Sequence, residues 1–421
     1  MVLGLSMITR RGTPPKNVSA RTKASSTISI RAASELPLAD ASAQERERFL
    51  RLRGSDQAAA LRYAFFAERA ASKPAELKGV EPKTLRHAGA VGGGTMDAGI
   101  AVALRDAGLQ VTMIERDDDA VARGRANVEK TYQAALSKGR ITQSQYDDRL
   151  AGFSASADYT QLADCDLVIE AVFEDLQVKN AVFSQLGAVC RPDAIIATNT
   201  SYLDPRLIGV TLPNPERYLG LHFFSPANIM KLLEVVPTEQ TSPETMATSF
   251  ALAEAMGKIP VRAGICDGFI GNRILKVTRM QAERLLLAGC TPAQIDQAMR
   301  SFGMAMGPFE TQDLGGLDIA AFHRQAARAR GEDTFAPVGD ILVEAKRLGR
   351  KTMAGWYDYD AKGQCPVLPQ AVADAITTAR RALGMGVMKR PGLTAFVRMP
   401  SGPHSWANCF VSIKSPAFAT L

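Results

Sequence analysis

One stretch limits the folds open to this chain more than any other. Residues 86–91 read as a short strand, and Gly92-Gly93-Gly94-Thr95-Met96-Asp97-Ala98-Gly99-Ile100 follows it. A helical run then continues to Ala107, stops at Gly108, and gives way to a second strand, residues 109–115, closed by Glu115. Strand, turn, helix and strand in this order make a βαβ unit, which belongs in a parallel sheet. The small residues of the turn permit a tight bend and let a pyrophosphate come close to the backbone, where its charge meets the N-terminus of the helix. Gly92 and Gly94 take the first two places of such a loop, and Thr95 and Met96 open the helix. Glu115, at the end of the second strand, is placed to accept both ribose hydroxyls of NAD and to repel the 2′-phosphate of NADP. The third place departs from the pattern. Asp97 stands where a glycine would let helix and strand pack closely, which puts a carboxylate near the phosphates. Glycines alone would read as a plain turn; the ordered context is what points to a dinucleotide.

The alternation continues with a helix over residues 120–138, a strand over 167–171, a helix over 177–189 and a strand over 194–198. Residues 218–224 and 232–237 add two more strands. The spacing predicts an α/β domain with a doubly wound parallel sheet over residues 86–266. Beyond Gly268 the pattern turns to helices only, over 269–289, 291–302 and 317–330, so an all-α domain is expected over 267–362. Helix formers also fill residues 43–72, and Pro74 and Pro82 then break the pattern, which makes 43–85 a helical linker segment.

The chain's 421 residues suit two or three domains. Its charge of +7 gathers at the ends, because residues 1–34 and 375–421 contain no Asp or Glu. A nucleic-acid binder needs a basic stripe with stacking aromatics on a folded face, and the centre of the chain has none. No uninterrupted apolar run is long enough to span a bilayer. Cys165, Cys190, Cys266, Cys290, Cys365 and Cys409 lie scattered without a Cys-x-x-Cys pair, so neither a metal site nor a disulfide framework is expected. Residues 1–42 read as a disordered basic leader, with an organellar transit peptide as the alternative.

A second stretch carries chemistry. His222 opens His-Phe-Phe-Ser-Pro-Ala-Asn-Ile-Met-Lys-Leu-Leu-Glu, which ends at Glu234. A histidine and a carboxylate this close suggest a general base with an orienting acid, since imidazole titrates near pH ~6.5 and a neighbouring carboxylate can raise its basicity. The plainer alternative is an ordinary core or surface histidine.

Taken together, these residues resemble the L-3-hydroxyacyl-CoA dehydrogenases, and specifically the dehydrogenase part of bacterial multifunctional β-oxidation proteins. The resemblance covers about residues 43–361. It rests on the glycine loop at 92–96, Ile-Glu-Ala-Val-Phe-Glu at 169–174, Thr-Asn-Thr-Ser at 198–201, the His222 run, Asp-Gly-Phe-Ile-Gly-Asn-Arg at 267–273, Met-Gly-Pro-Phe at 306–309 and Arg-Lys-Thr-Met-Ala-Gly-Trp-Tyr at 350–357. It implies a Rossmann-like NAD-binding domain followed by a helical C-terminal dehydrogenase domain, with NAD as cofactor and an acyl-CoA as substrate. By position, His222 would take the proton of the substrate 3-hydroxyl and Glu234 would orient the histidine. Ser201 and Asn272 would hold the substrate oxygen and the nicotinamide edge; without the family they read as a strand-end serine and a helix-cap asparagine. Glu174 and Lys179 match positions near the cofactor ribose and amide, Lys351 a position at the domain junction, and Lys138, on the long helix, one that meets the phosphorylated end of coenzyme A. Bare lysines would otherwise be solvated charges. Ser225 is of the multifunctional type.

The resemblance also sets further expectations. The hydratase core of the multifunctional proteins is missing, so enoyl-CoA hydration is not expected. Residues 369–383 begin to resemble the second helical repeat of that family, and the likeness fails after Gly384, which makes 363–421 a truncated or altered repeat. An exposed apolar face over 269–330 would then favour a homodimer through the helical domain. A bacterial cytoplasmic location is expected, or a mitochondrial one if the leader is a transit peptide. Other readings are a 3-hydroxybutyryl-CoA or sugar-acid dehydrogenase of the same superfamily, and a non-catalytic remnant that binds nucleotide.

Overall fold

The computed structural model describes residues 34–332, 334–360, 363–365 and 367–385; the readings made for the leader up to residue 33 and for the tail from residue 386 lie outside the described residues. The chain divides into two compact units at Ile274/Leu275.

In the first unit, helices α1 (Leu38–Arg53) and α2 (Asp56–Ser72) are separated by Ser55, whose hydroxyl accepts from Ala58 N and so caps α2. Next come β1 (His87–Val91), α3 (Thr95–Asp106), β2 (Gln110–Ile114), α4 (Asp118–Ser137), α5 (Gln143–Ala151), β3 (Phe153–Ser156), β4 (Leu167–Glu170), α6 (Leu176–Val189) and β5 (Ile195–Thr198). The short helix α7 (Pro205–Ile208), β6 (Tyr218–Phe223), β7 (Leu232–Pro237), α8 (Pro243–Ala255) and β8 (Ile259–Arg262) complete the unit. The strands form one sheet in the order β3-β2-β1-β4-β5-β6-β7-β8. Its order reverses between β1 and β4, the switch point beyond which α/β sheets bind ligands.

Strand side chains alternate between two cores. Ala90, Met113 and Ile169 pack on one side, and Val91, Ile114 and Val168 on the other. Burial on both faces explains why these strands read as continuous apolar runs.

The structure corrects the expected parallel sheet at one place. β6 and β7 are antiparallel, because residues 224–231 are too few for a crossover helix; β7 and β8, joined through α8, are again parallel. Five elements of this unit fall outside the sequence reading, the four-residue helix α7 among them. β3 is only four residues long, with two serines. α8 is buried from Thr245 to Phe250, which erases the apolar–polar period. β8 is equally short, and α5 is polar but starts at a reciprocal cap between Thr142 and Gln145.

Helix α9 (Gly271–Leu287) begins at the end of the first unit. The second unit holds α10 (Pro292–Phe302), α11 (Pro308–Gly315), α12 (Leu317–Ala329), α13 (Pro337–Glu344), the antiparallel pair β9 (Tyr359–Asp360) and β10 (Gly363–Gln364), and α14 (Gln370–Ala382). The hairpin corrects the helices-only expectation. Trp356 and Phe309, with ring centroids 4.5 Å apart, centre a core that Val372, Ala375 and Ala379 of α14 join. Val277, Leu285, Phe302, Leu314, Ile319 and Phe322 are large apolar side chains left exposed over 269–330.

Buried carboxylates tie this unit together. Asp296 accepts from Phe309 N and Glu310 N at the start of α11, and Asp313 accepts from Trp356 N and Tyr357 N. Glu283 accepts from Val338 N (2.9 Å) and Gly339 N (3.2 Å) at the start of α13. Burial pushes the Glu283 carboxyl up to about 7, against the opposing pull of those amides. Its folded pKa therefore lies above the unfolded one, so between about pH 4.5 and about pH 7 the folded chain binds the extra proton and stability falls as pH rises. Glu283→Gln keeps a capping oxygen and loses the proton; thermal unfolding of the intact chain is expected to lose that part of its pH dependence. An unchanged profile in the variant would remove Glu283 as its source.

Candidate active site

The site is built at the C-terminal ends of the parallel strands, where the antiparallel β7 brings in its N-terminal half. His222 on β6 and Glu234 on β7 are direct cross-strand partners in the antiparallel ladder, so their side chains share one face. His222 Nδ1 lies 2.6 Å from Glu234 Oε2, and both residues are buried. The other carboxylate oxygen, Oε1, accepts from Ile270 N (3.0 Å) and Gly271 N (2.8 Å) at the start of α9. An ionised carboxylate only accepts, so Nδ1 carries the proton and donates it to Glu234. In that tautomer Nε2 is an acceptor, 3.1 Å from Ser201 Oγ. Phe224 and Phe269 flank the ring, with centroids 4.7 and 5.5 Å away. Asn272 follows Gly271 on the first turn of α9 and is partly exposed.

Ser201 sits just past β5 in a loop held by Glu174. Glu174 Oε1 accepts from Thr200 Oγ1 (2.6 Å), Ser201 N (2.8 Å) and Tyr202 N (2.9 Å). Burial alone would raise this carboxyl, but Lys179 and those hydrogen bonds outweigh it and hold it below the ordinary range. Lys179, on α6, is buried, with Nζ 2.7 Å from Glu170 Oε1 and 3.4 Å from Glu174 Oε2. Thr198 Oγ1 (2.7 Å) and Val172 N (2.7 Å) complete the ligation of Glu170 at the end of β4. Lys179 thus lies beneath the loop as the cation of a buried network. Glu170 escaped the sequence reading; the signal was an acid ending the otherwise apolar Leu-Val-Ile strand.

At the glycine loop, Gly92 adopts φ +123°, a conformation that favours glycine. A Cβ on Gly93 would fall 2.9 Å from Glu115 Oε1 and 3.1 Å from Gly124 Cα, so the turn is closed to side chains. Gly94 is the N-cap of α3 and brings no side-chain cap to its first amides. Thr95 is exposed and Met96 packs partly on the core. Glu115 stands at the end of β2 as expected, with Oε1 2.6 Å from Gly93 N and Oε2 2.9 Å from Arg116 N; these bonds fasten the acid to the loop it serves. The glycine loop, the first amides of α3, which Gly94 leaves without a side-chain cap, and the adjoining acid fit the pyrophosphate and ribose of NAD. Two further lysines stand apart in their own surroundings. Lys138 is the C-cap of α4, one residue past the helix rather than within it, and exposed. Lys351 belongs to the second unit, where Nζ pairs with Asp318 Oδ2 at 2.5 Å.

A doubly wound sheet with a glycine loop at its switch point, and a buried His–Glu pair that leaves one ring nitrogen free to accept a proton, is the framework of an NAD-dependent dehydrogenase. The chain belongs to the 3-hydroxyacyl-CoA dehydrogenase family: the family's NAD binding domain matches residues 87–266 and its C-terminal domain residues 268–359. The peroxisomal bifunctional enzyme of Cavia porcellus is 40% identical over 354 residues, which cover 79% of this chain and 48% of that protein. The chain thus spans about half the length of the curated relatives it matches. The 3-hydroxybutyryl-CoA dehydrogenase of Escherichia coli K12 has a solved structure that is 35% identical, with TM-score 0.62, covering 66% of this chain and 60% of that one. The dehydrogenase part of multifunctional enzyme 1 from C. elegans is 29% identical, with TM-score 0.55, covering 75% and 71%. The two matched domains together are those of an NAD-dependent oxidoreductase.

Proposed function

We propose that the chain oxidises L-3-hydroxyacyl-CoA to 3-oxoacyl-CoA, with His222 as the base. The buried His222–Glu234 contact, with Nε2 facing Ser201, is the observation that carries this reading. His222 Nε2 accepts the proton of the 3-hydroxyl while the hydride leaves C3, and Glu234 stabilises the imidazolium that forms. NAD, when bound, supplies the carbon that accepts the hydride. Ser201 and Asn272 hold the reacting oxygen and the nicotinamide edge, and Glu174 keeps the Ser201 loop in place. Lys138 offers a cation to the phosphorylated end of coenzyme A, and Lys351 is a further cofactor-binding residue.

Purified protein given NAD and L-3-hydroxybutyryl-CoA or a longer L-3-hydroxyacyl-CoA is expected to form NADH, and the D-isomers are expected to give none. Relative rates along the chain-length series separate a 3-hydroxybutyryl-CoA enzyme from a broader one. NADH binding with no turnover on any of these would overturn the reading in favour of a non-catalytic remnant. We further place the protein in a bacterial cytoplasm, with the mitochondrion as the alternative, although the Cavia porcellus relative is named as peroxisomal; fractionation of the source cells decides among the three. Among the described residues no helix is long and apolar enough to cross a membrane. Self-association through the exposed apolar residues of 269–330 is read by light scattering.

A further inference from the structure

Asp97 occupies the place where the dinucleotide loop favours a third glycine, and its side chain has folded under that loop. Oδ1 lies 2.5 Å from where a Cβ on Gly92 would stand, and Oδ2 lies 3.2 Å from the same point on Gly94. The residue is 5% exposed, and Oδ1 has no hydrogen-bond partner. The charged groups that face it come from three other elements: Glu170 from the end of β4, Glu115 from the end of β2, and Lys179 from α6. Lys179 is already shared between Glu170 and Glu174, so little of its charge is left for Asp97. A buried acid with one oxygen unpaired among other acids is costly to ionise, the residue's own backbone amide offsets only part of that cost, and the cost rises when a pyrophosphate dianion settles on the loop amides.

We propose that Asp97 makes cofactor binding proton-linked: the dinucleotide binds the form of the protein in which this carboxyl is protonated, and the proton leaves with the cofactor. Burial, against the pull of the residue's own backbone amide and with the repulsion of Glu170 and Glu115, holds the Asp97 carboxyl well above the usual carboxylate range even before a cofactor binds. The bound pyrophosphate raises it further. Between the free and bound pKa values, binding takes up a proton, so affinity falls as pH rises, by up to about tenfold per pH unit for one proton. The protonated oxygen also turns an acceptor without a partner into a donor directed at the loop.

The test uses the intact chain and two ligands, NAD and ADP-ribose, titrated calorimetrically from about pH 6 to about pH 9 in buffers of different ionisation heat. ADP-ribose carries the pyrophosphate but no nicotinamide ring, so neither His222 nor the identity of the acyl substrate enters the result. The wild type is expected to take up a proton and to lose affinity for both ligands with rising pH. Asp97→Asn has nearly the same shape without the acid and is expected to bind with no proton uptake and a flat pH profile. Asp97→Gly restores the small residue, and serves equally if circular dichroism shows the Asn variant unfolded. A flat wild-type profile, or a slope that persists unchanged in the folded variant, overturns the proposal.

Discussion

Replacing His222 by Gln is expected to lower kcat for L-3-hydroxyacyl-CoA oxidation by about a thousandfold, the usual scale for removing a positioned general base. NAD affinity should hardly change, because the glycine loop and Glu115 do not touch the histidine. Glu234→Gln is expected to come close to the same loss by another route. Glu234 uses Oε1 on the backbone amides of Ile270 and Gly271 and Oε2 on His222 Nδ1. A glutamine has one oxygen and one NH2. Keeping the oxygen on the backbone amides turns the NH2 toward Nδ1, which then must accept, so the ring proton moves to Nε2 and the base is lost. Steady-state kinetics, with cofactor affinity measured separately, check both variants. A fall in kcat of less than about tenfold for His222→Gln would end its role as base.

Lys179→Met is expected to destabilise the chain by about 3–5 kcal/mol, the scale of an uncompensated buried charge. Glu170 is 0% exposed and Lys179 1%, so water cannot replace the lost ammonium. Glu174 also loses a partner, which should loosen the loop that carries Ser201. At roughly 2–4 °C per kcal/mol for a domain of this size, the melting temperature of the first unit's transition should drop by about 10 °C. Lys179→Met combined with Glu170→Leu removes both charges and should recover part of the loss, since a buried ion pair exchanged for apolar groups is often nearly neutral. A single variant that melts within about 1 kcal/mol of wild type would contradict the account.

The sequence made some of this legible for identifiable reasons. Leu167–Glu170 and Ile195–Thr198 are buried on both faces and bounded by turn residues, so their apolar runs stand out. The glycine loop shows at Gly92, whose positive φ is a local demand, while the closure of Gly93 comes from Glu115 and Gly124, distant in the chain. The pairing of His222 with Glu234 was legible from the family motif, but the reversal of β7 that creates it was not, since strand direction leaves no mark in a hydropathy pattern. α8 hid because burial all round removes its period. The buried carboxylates Glu283, Asp296 and Asp313 hid for the opposite reason: on a helix they look like ordinary surface charges. What they cap lies far along the chain, at Val338, Phe309 and Trp356. Glu170 and Lys179 are nine positions apart, yet nothing short of the folded strand–helix packing shows that they share one buried space.

The antiparallel β6–β7 pairing also bears on how this protein can change over time. Sheet register, not the turn that joins the strands, fixes His222 opposite Glu234. Residues 224–231 can therefore lengthen, shorten or change composition while the two side chains stay aligned, because a looped-out insertion leaves the hydrogen-bonded ladder intact. A single residue gained or lost inside either strand would instead turn one member of the pair to the opposite face of the sheet. Drift is thus tolerated in the connection and forbidden a few residues away, a division that lets the neighbourhood of the histidine be remodelled without dismantling its chemistry.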